Sequence, residues 1–321
     1  MKLLVTGGAG FIGSHFVTRQ VQGETWDSVT VLDLLTYAGN RANLKKAESS
    51  PKFDFIHGDI CDAPLVEKLT QDADVVVNFA AESHVDRSLL DGDKFVMTNV
   101  VGTTNLLKNS LKNAVKIFHQ VSTDEVYGSI SRGSWDEEFP ITPNSPYSAS
   151  KASADLIALS FHKSYGMDVR ISRCSNNYGP NQYPEKLIPL AITNLIQGKK
   201  IPIYGDGQNR RDWLHVEDHC RAIELIIEFG KSGEVYNIGG GAELTNLEVA
   251  RLILDHLNES EDSIEYVGDR LGHDFRYSVN WNKLASETGY LPKNIFSDGL
   301  SRTIDWYLQN PEWWRPLLVG Q

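Results

Sequence analysis

Residues 1–13 read MKLLVTGGAGFIG, a short apolar run that ends in glycines. Gly7, Gly10 and Gly13 follow the first predicted strand and precede a helical pattern, which is the setting of a dinucleotide-binding turn. Such a turn needs residues without Cβ, because the backbone must approach a pyrophosphate bound at the helix N-terminus. Asp33 ends the second predicted strand, where its carboxylate can accept hydrogen bonds from ribose hydroxyls and repel a 2′-phosphate. The stretch therefore predicts binding of NAD rather than NADP.

The chain up to about Arg173 alternates short apolar runs with longer helical patterns. The runs predict strands at Leu3–Thr6, Val29–Asp33, Phe53–His57, Val75–Phe79, Ile117–Ser122 and Val169–Arg173. This alternation predicts an α/β fold with a doubly wound parallel sheet of the Rossmann type. After about Asn176, prolines and glycines separate shorter elements, which predicts a smaller mixed α/β substrate-binding lobe. We therefore expect an NAD-binding domain at residues 1–175 and mainly a substrate-binding lobe at 176–321, with some later segments returning to the first domain.

The composition restricts the class of protein. With 321 residues and a formal net charge of −11, the chain is long enough for two fused lobes and repels polyphosphate backbones, so we expect no nucleic-acid partner. Its three cysteines form no CxxC pair, which argues against a disulfide framework or a cysteine zinc site. No apolar run reaches the ~20 residues that span a bilayer, and none resembles a signal peptide, so we expect a cytoplasmic protein without a membrane partner.

Two further stretches carry candidate catalytic residues. Tyr147 and Lys151 follow Pro146 at a spacing that places both side chains on one face of a helix. A tyrosine with an ordinary pKa of about 10 is a poor base, but a neighbouring ammonium and a positive nicotinamide ring favour its phenolate, which accepts a proton from an alcohol. The stretch STDEVYG at residues 122–128 follows a predicted strand and so lies at a carboxyl end, where sheets of this type bind ligands.

Five motifs together resemble the extended short-chain dehydrogenase/reductase superfamily. They are GGAGFIG at 7–13, NFAAESHVDRS at 78–88, STDEVYG at 122–128, YSASK at 147–151 and SNNYGP at 175–180. Within that superfamily, the Thr-Asp-Glu triplet at 123–125 and RDWLHVED at 211–218 closely resemble the dTDP-glucose 4,6-dehydratase family. The likeness covers residues 1 to about 277, whereas the final stretch through Trp313 carries no recognisable motif.

The resemblance implies a redox-neutral removal of water on a retained NAD. The substrate dTDP-glucose would be oxidised at C4, lose water across C5 and C6, and regain the hydride at C6 to give dTDP-4-keto-6-deoxyglucose. Asp124 would be the acid that protonates the departing hydroxyl, and Glu125 the base that takes the C5 proton. Thr123 would hydrogen-bond the C4 oxygen alongside Tyr147. Asp124 must then be protonated, and the acidic pair must lie where the strand breaks into a loop, because neighbouring strand residues point to opposite faces.

The resemblance also implies which residues bind the two ligands. For the cofactor they are Gly7, Gly10, Phe11, Ile12, Gly13, Asp33, Leu35, Thr36, Asp59, Ile60, Ala80, Ala81, Ser83, Thr98, Tyr147, Lys151 and Asn177. For the nucleotide sugar they are His84, Thr123, Asn176, Glu185, Lys186, Leu187, Pro202, Tyr204, Arg211, Asn246, Arg270, His273 and Tyr277. Arg211 and Arg270 are the candidates for the diphosphate, because arginine makes bidentate contacts with phosphate. His84 and Asp86 have no further ligands at metal spacing, so we expect no metal.

Helical patterns at about Lys94–Lys112 and Tyr147–Ser164 carry apolar residues on more than one face. The corresponding helices of related enzymes pair across a two-fold axis, so we expect a homodimer.

Several alternatives share the same motifs. A nucleotide-sugar 4-epimerase or decarboxylase would keep the glycine turn, the tyrosine and the lysine but would have no use for the pair Asp124 and Glu125. A GDP-mannose dehydratase typically carries another residue at position 124 and uses NADP, which Asp33 disfavours. A dinucleotide-sensing regulator would tend to lose the tyrosine or the lysine. UDP-glucose 4,6-dehydratase remains open, because thymine and uracil differ by one methyl group that no motif reads.

Overall fold

The computed structural model describes residues 1–269 and 272–318. Its strands, in chain order, are β1 (Lys2–Thr6), β2 (Ser28–Asp33), β3 (Phe53–His57), β4 (Val75–Asn78), β5 (Ile117–Thr123), β6 (Val169–Cys174), β7 (Asn176–Tyr178), β8 (Ile201–Tyr204), β9 (Arg210–His215), β10 (Val235–Ile238), β11 (Glu243–Thr245) and β12 (Ile264–Val267). Its α-helices are α1 (Phe11–Gln22), α2 (Ala63–Gln71), α3 (Val85–Leu90), α4 (Asp93–Phe95), α5 (Thr103–Lys112), α6 (Pro146–Tyr165), α7 (Leu187–Ile196), α8 (Val216–Phe229), α9 (Asn246–Leu257), α10 (Asn282–Thr288), α11 (Phe296–Gln309) and α12 (Pro311–Trp314). The remaining helical elements are a π-helical stretch, Val96–Gly102, and the 3-10 helices Arg41–Leu44, Asp124–Tyr127, Glu261–Ser263 and Arg315–Leu318.

Seven of the described strands form one parallel sheet in the order β3, β2, β1, β4, β5, β6, β10. The strand order reverses between β1 and β4, which makes the carboxyl ends of these strands the expected ligand crevice. The prediction of a doubly wound parallel sheet is confirmed. Each of the six strands predicted from apolar runs is present, with its ends within one residue of the predicted bounds. The seventh strand, β10, comes from the second half of the chain and pairs with β6.

The strand β4 lies in the middle of this sheet and is apolar on both faces up to Asn78. Every residue of β4 is buried, as expected for a strand that helices cover on each side. At the carboxyl ends, polar side chains connect three strands: Thr6 Oγ1 donates to Asn78 Oδ1 at 2.6 Å, and Asn78 Nδ2 donates to Gln120 Oε1 at 2.9 Å. These buried hydrogen bonds connect β1, β4 and β5 at the edge of the sheet where the site forms.

The second lobe has two small sheets, β11-β9-β7 and β12-β8. Its core contains Trp213, Ile253, Ile304 and Trp314, which pack with the apolar faces of α7, α9 and α11. By contrast, α8 returns to the large sheet, where its buried Ile223 joins the core beneath α1. Segments after residue 176 therefore contribute to both packing units.

The predicted helix at 94–112 is present as α4, the π-helical stretch and α5 in direct succession. Gly102, the last residue of the π-helical stretch, packs closely against the Ile60 side chain, because a Cβ on Gly102 would lie 2.5 Å from Ile60 Cδ1. Within residues 1–269 and 272–318, no helix combines the length and the apolar character needed to cross a bilayer.

Candidate active site

The glycine turn brings β1 close to its neighbours. Gly7 has φ +69°, and a Cβ built on it would lie 2.5 Å from the backbone nitrogen of Ala80. A Cβ on Gly13 would lie 2.4 Å from the carbonyl oxygen of Gly7, so the first turn of α1 packs against the loop itself. The N-cap residue Gly10 has no side chain, so the amides of the first turn are left without a side-chain cap and can bind a phosphate. These residues fit a dinucleotide pyrophosphate.

Asp33 is held at the end of β2 by two backbone amides. Its Oδ2 accepts from Ala9 N and its Oδ1 from Leu35 N, both at 2.8 Å. Burial raises the pKa of the Asp33 carboxyl, and the two amide bonds oppose this shift. The backbone of Leu35 turns to φ +53° and its side chain packs against the apolar core, and its contact with the cofactor stays a prediction.

A cleft of about 310 Å³ runs along the carboxyl ends of the strands. It is lined by every residue predicted for the cofactor except Leu35, namely Gly7, Gly10, Phe11, Ile12, Gly13, Asp33, Thr36, Asp59, Ile60, Ala80, Ala81, Ser83, Thr98, Tyr147, Lys151 and Asn177. The cleft also contains Gln182 and Tyr183, which sequence reasoning missed. Their position directly after the SNNYGP motif was the available signal.

The predicted catalytic triplet lies where β5 ends. Thr123 is the last residue of the strand, and a 3-10 helix begins at Asp124, so the chain leaves the strict strand alternation between them. Thr123, Asp124 and Glu125 all line the cleft. Thr123 Oγ1 accepts from Glu125 N at 3.2 Å and donates to Asp124 Oδ1 at 3.4 Å, which orients both acidic residues. The requirement for a strand that breaks at the acidic pair is therefore met.

Asp124 is the more deeply buried of the two carboxyl groups, with 2% of its surface exposed. Burial raises its pKa well above the ordinary value, and negative charge on Glu125 and Asp212 raises it further, while Arg211 and the Thr123 hydroxyl act in the opposite direction. Oδ2 of Asp124 has no hydrogen-bond partner among the described residues. A protonated carboxyl with an unpaired oxygen at a cleft is a suitable general acid.

Tyr147 and Lys151 project from the start of α6 into the same cleft. Lys151 Nζ donates to the carbonyl oxygen of Val121 at 2.7 Å, which fixes the ammonium beneath β5. Burial, followed by Glu125 and Cys174, raises the pKa of Tyr147 well above its ordinary value. The protein's own groups therefore raise the pKa of Tyr147, although Lys151 was expected to lower it. A cationic nicotinamide ring is the remaining group that would stabilise the phenolate.

Three predicted substrate residues reach the cleft from the second half of the chain: Asn176, Glu185 and Lys186. Lys186 Nζ donates to the carbonyl oxygen of Ser83 at 3.0 Å. Glu185 Oε2 lies 3.8 Å from His84 Nε2 and 3.3 Å from the guanidinium of Arg87. These contacts join the loop after β4 to the second lobe across one end of the cleft.

Arg211 lies behind the acidic pair and does not line the cleft. Its guanidinium donates to the carbonyl oxygens of Asp274 and Phe275 at 2.8 and 3.2 Å and stacks 4.2 Å over the ring of Tyr277. Tyr277 in turn donates to Asp274 Oδ2 at 2.7 Å. Arg211 thus has a visible structural role, and its contact with a diphosphate stays a prediction.

His84 and Tyr277 also lie outside the lining of the cleft, as do five further predicted substrate residues in the second lobe: Leu187, Pro202, Tyr204, Asn246 and His273. The rings of Tyr204 and His273 are 6.2 Å apart, and His273 Nδ1 contacts Asp269 Oδ1 at 2.6 Å. Leu187 packs against the apolar core of the lobe. Arg270 lies outside the described residues.

Comparison with known proteins defines the class first. A family model described as GDP-mannose 4,6 dehydratase matches residues 4–303, and the chain belongs to this family. Among curated proteins, it is 53% identical to the dTDP-glucose 4,6-dehydratase of an Actinoplanes species, over 98% of this chain and 100% of that protein. The resemblance to the dTDP-glucose 4,6-dehydratases is thereby confirmed.

Solved structures agree with this placement. The crystal structure of DesIV, a dTDP-glucose 4,6-dehydratase from Streptomyces venezuelae determined with NAD bound, has a TM-score of 0.98 and 54% identity, over 99% of this chain and 100% of that one. A UDP-glucuronic acid 4-epimerase from Bacillus cereus, in complex with UDP-glucuronic acid and NAD, has a TM-score of 0.92 and 29% identity, over 96% and 99%. Dehydratases and epimerases thus share this fold, and the side chains at the cleft must separate them.

Proposed function

We propose that the protein is a dTDP-glucose 4,6-dehydratase, which converts dTDP-glucose into dTDP-4-keto-6-deoxyglucose and water on a retained NAD. The observation that carries this proposal is the buried Asp124 carboxyl, whose pKa is raised, next to Glu125 in a dinucleotide-type cleft. Elimination across C5 and C6 needs an acid and a base side by side at those carbons, whereas epimerisation at C4 needs only a group that exchanges the C4 hydroxyl proton. The relatives named for dTDP-glucose, which match along nearly the whole chain, support the same substrate.

When bound, NAD accepts hydride from C4 of the hexose and later supplies it to C6. The protein positions the C4 hydroxyl between Tyr147 and Thr123, whose own hydroxyls face the same cleft. Tyr147 accepts the C4 proton during oxidation, and Thr123 holds the C4 oxygen in place. Lys151 is anchored on the Val121 carbonyl in the same cleft, and the positive nicotinamide ring would supply the charge that stabilises negative charge on the tyrosine oxygen.

The ketone at C4 makes the C5 proton acidic, and Glu125 removes it. Asp124 then donates its proton to the departing C6 hydroxyl, which leaves as water. The two carboxyl groups can hold opposite protonation states because Asp124 is the more buried and because charge on Glu125 disfavours a second negative charge nearby. Reprotonation at C5 completes the product.

The decisive experiment incubates the purified protein with dTDP-glucose in heavy water without added NAD. Loss of one water with a single deuterium at C5 is the expected result, because the C5 proton exchanges with solvent while the C6 hydrogen is transferred internally. Recovery of a C4 isomer with no water lost would instead identify an epimerase. A parallel reaction with UDP-glucose tests the base preference, and the absence of turnover with either sugar would favour a dinucleotide-sensing regulator.

We also infer a homodimer formed through the π-helical stretch and α6, which contact each other. Val96, Met97 and Val101 on the first element and Leu156 on the second are exposed although apolar, with Leu156 exposed by 56%. A second copy related by a two-fold axis would cover this face with its own equivalent. Sedimentation at micromolar concentration should show a dimer, and Leu156→Glu should shift it toward monomer. A monomeric wild-type protein would contradict the inference.

The expected cytoplasmic location is a separate proposal, which cell fractionation would test.

A further inference from the structure

The C-terminal aromatic segment, residues 306–318, has no role in the mechanism above, yet it is tightly built. Trp306 packs edge-on against Tyr307 and Trp313, with ring centroids 5.0 Å apart in each pair. Trp314 is fully buried, and its indole nitrogen donates to the carbonyl oxygen of Tyr307 at 2.8 Å. The segment is therefore fixed in place on the second lobe.

One side chain of this segment is linked by hydrogen bonds to the glycine loop. Trp313 Nε1 donates to Asn43 Oδ1 at 2.8 Å. Asn43 Nδ2 then donates to the carbonyl oxygen of Ala9 at 2.9 Å. Ala9 belongs to the glycine loop, so two consecutive hydrogen bonds connect the C-terminal segment to the turn that approaches the pyrophosphate.

Ala9 is held on both its backbone polar groups. Its N–H donates to Asp33 Oδ2 at 2.8 Å, and its carbonyl oxygen accepts from Asn40 N at 3.0 Å in addition to the Asn43 amide. The orientation of this residue sets both the turn that leads to Gly10 and the direction of the Asp33 carboxylate. Through Ala9, Asn43 is therefore connected both to the turn proposed to bind phosphate and to the Asp33 carboxylate proposed to bind ribose.

The same segment also contacts a second part of the chain that lines the cleft. The Tyr307 hydroxyl donates to the carbonyl oxygen of Gln182, and the Tyr183 hydroxyl donates to the carbonyl oxygen of Leu317 at 3.3 Å. Gln182 and Tyr183 both line the cleft. The aromatic segment is therefore linked to the glycine loop through Asn43 and to two residues of the cleft lining directly.

We propose that Trp313 is a positioning residue which, through Asn43, holds the glycine loop in its dinucleotide-binding shape, so that the C-terminal segment slows cofactor release. The inference rests on the proposed function, in which one NAD must stay bound from hydride removal at C4 to hydride return at C6. A loop held at Ala9 keeps the amides of α1 aligned with the pyrophosphate and lowers the cost of ordering them on binding.

The test compares two tryptophan variants that each lose one indole hydrogen bond. Trp313→Phe keeps an aromatic ring and removes the shorter of two bonds to Asn43 Oδ1, leaving the one from Asn181 Nδ2 at 3.3 Å, while Trp314→Phe removes a donor whose acceptor lies within the segment itself. Holoenzyme loaded with isotopically labelled NAD is mixed with excess unlabelled NAD, and release of the label is followed over time. Trp313→Phe should release NAD about five-fold faster, the effect of one hydrogen bond, and Trp314→Phe less than about two-fold faster.

Asn43→Ala provides a second route if Trp313→Phe folds poorly. It should accelerate release to a similar extent, and the double variant should add little, because both changes break the same connection. Equal release from Trp313→Phe and the wild type, or equal acceleration by Trp314→Phe, would overturn the inference. If the wild-type protein retains no NAD at all, the proposed function itself fails, which is a separate outcome.

Discussion

The cofactor wall and the catalytic wall of the cleft are built from different kinds of groups. The cofactor wall is made largely of backbone: the glycine turn, the first amides of α1 and the loop residues held at Ala9. The catalytic wall is made of side chains that titrate, with Asp124 and Tyr147 buried and electrostatically coupled to Glu125. Substitutions on the first wall should therefore act on shape and affinity, and substitutions on the second on protonation and rate.

The sharpest test of this contrast is Asp124→Asn, which keeps the size of the side chain and removes its proton. We expect kcat for dehydration to fall by about 10²- to 10⁴-fold, the range for loss of a general acid. NAD content should stay unchanged, because the residue belongs to the catalytic wall. Product formation and cofactor content of the purified variant provide the two measurements.

Glu125→Gln is the matched variant for the neighbouring role. It should abolish deuterium incorporation at C5, whereas Asp124→Asn should still allow C4 oxidation and exchange at C5 in recovered substrate. If both variants blocked C5 exchange equally, the division of labour between the two carboxyl groups would be wrong.

On the cofactor wall, the largest effect is expected from Gly7→Ala. The added methyl group would clash with the backbone of Ala80 at 2.5 Å, and the alanine would have to adopt the positive φ of Gly7. Gly166→Ala is the control, because Gly166 has φ +68° with no atom within 4 Å of the built Cβ. The control should lose about 1 kcal/mol of stability from the backbone alone, and Gly7→Ala should lose more and bind NAD about 100-fold more weakly. Denaturant unfolding and NAD titration separate these contributions, and equal effects would remove the steric argument.

Sequence reasoning succeeded best where the physical signal is local. The apolar runs of β1, β2 and β4 and the glycine turn were recognisable from the sequence, because a strand buried on both faces tolerates few polar residues. The break at Asp124 followed from the need to present adjacent carboxyl groups to one cleft. Long-range pairing gave no such signal: β10 is only four residues long and joins β6 from another part of the chain.

The surroundings of individual side chains were the second feature that the sequence did not predict. The contacts of Arg211 with backbone carbonyl groups were not predicted, because the loop at 274–275 is distant in sequence, and its contact with the diphosphate stays a prediction. The positive φ of Leu35 had no signal in the neighbouring sequence, and its contact with the cofactor stays a prediction. Trp313 lacked any motif, since its partner Asn43 is far away in the chain.

The raised pKa of Asp124 predicts an alkaline limb in the pH profile. Because the acid must be protonated, kcat should fall about ten-fold per pH unit as pH rises through the raised pKa. The stability contribution has the same direction: a carboxyl whose folded-state pKa is raised favours folding below its ordinary pKa, and this contribution is lost as pH rises through the folded value. Asp124→Asn should therefore flatten that part of the curve of unfolding free energy against pH. A variant that kept the wild-type slope would show that another group controls it.

The smallest effect concerns Thr123, which belongs to the catalytic wall but carries no charge. Thr123→Val keeps its shape and removes the hydroxyl that accepts from Glu125 N and bonds Asp124 Oδ1, while Thr123→Ser keeps that hydroxyl. We expect kcat to fall about ten-fold for valine and less than about two-fold for serine, the effect of losing one or two modest hydrogen bonds. Because the same hydroxyl lowers the pKa of Tyr147, the valine variant should also slow formation of the reduced cofactor in a single turnover, measured by its absorbance. If valine slowed only elimination, Thr123 would act on the acidic pair alone and the C4 oxygen would be held by Tyr147 without it.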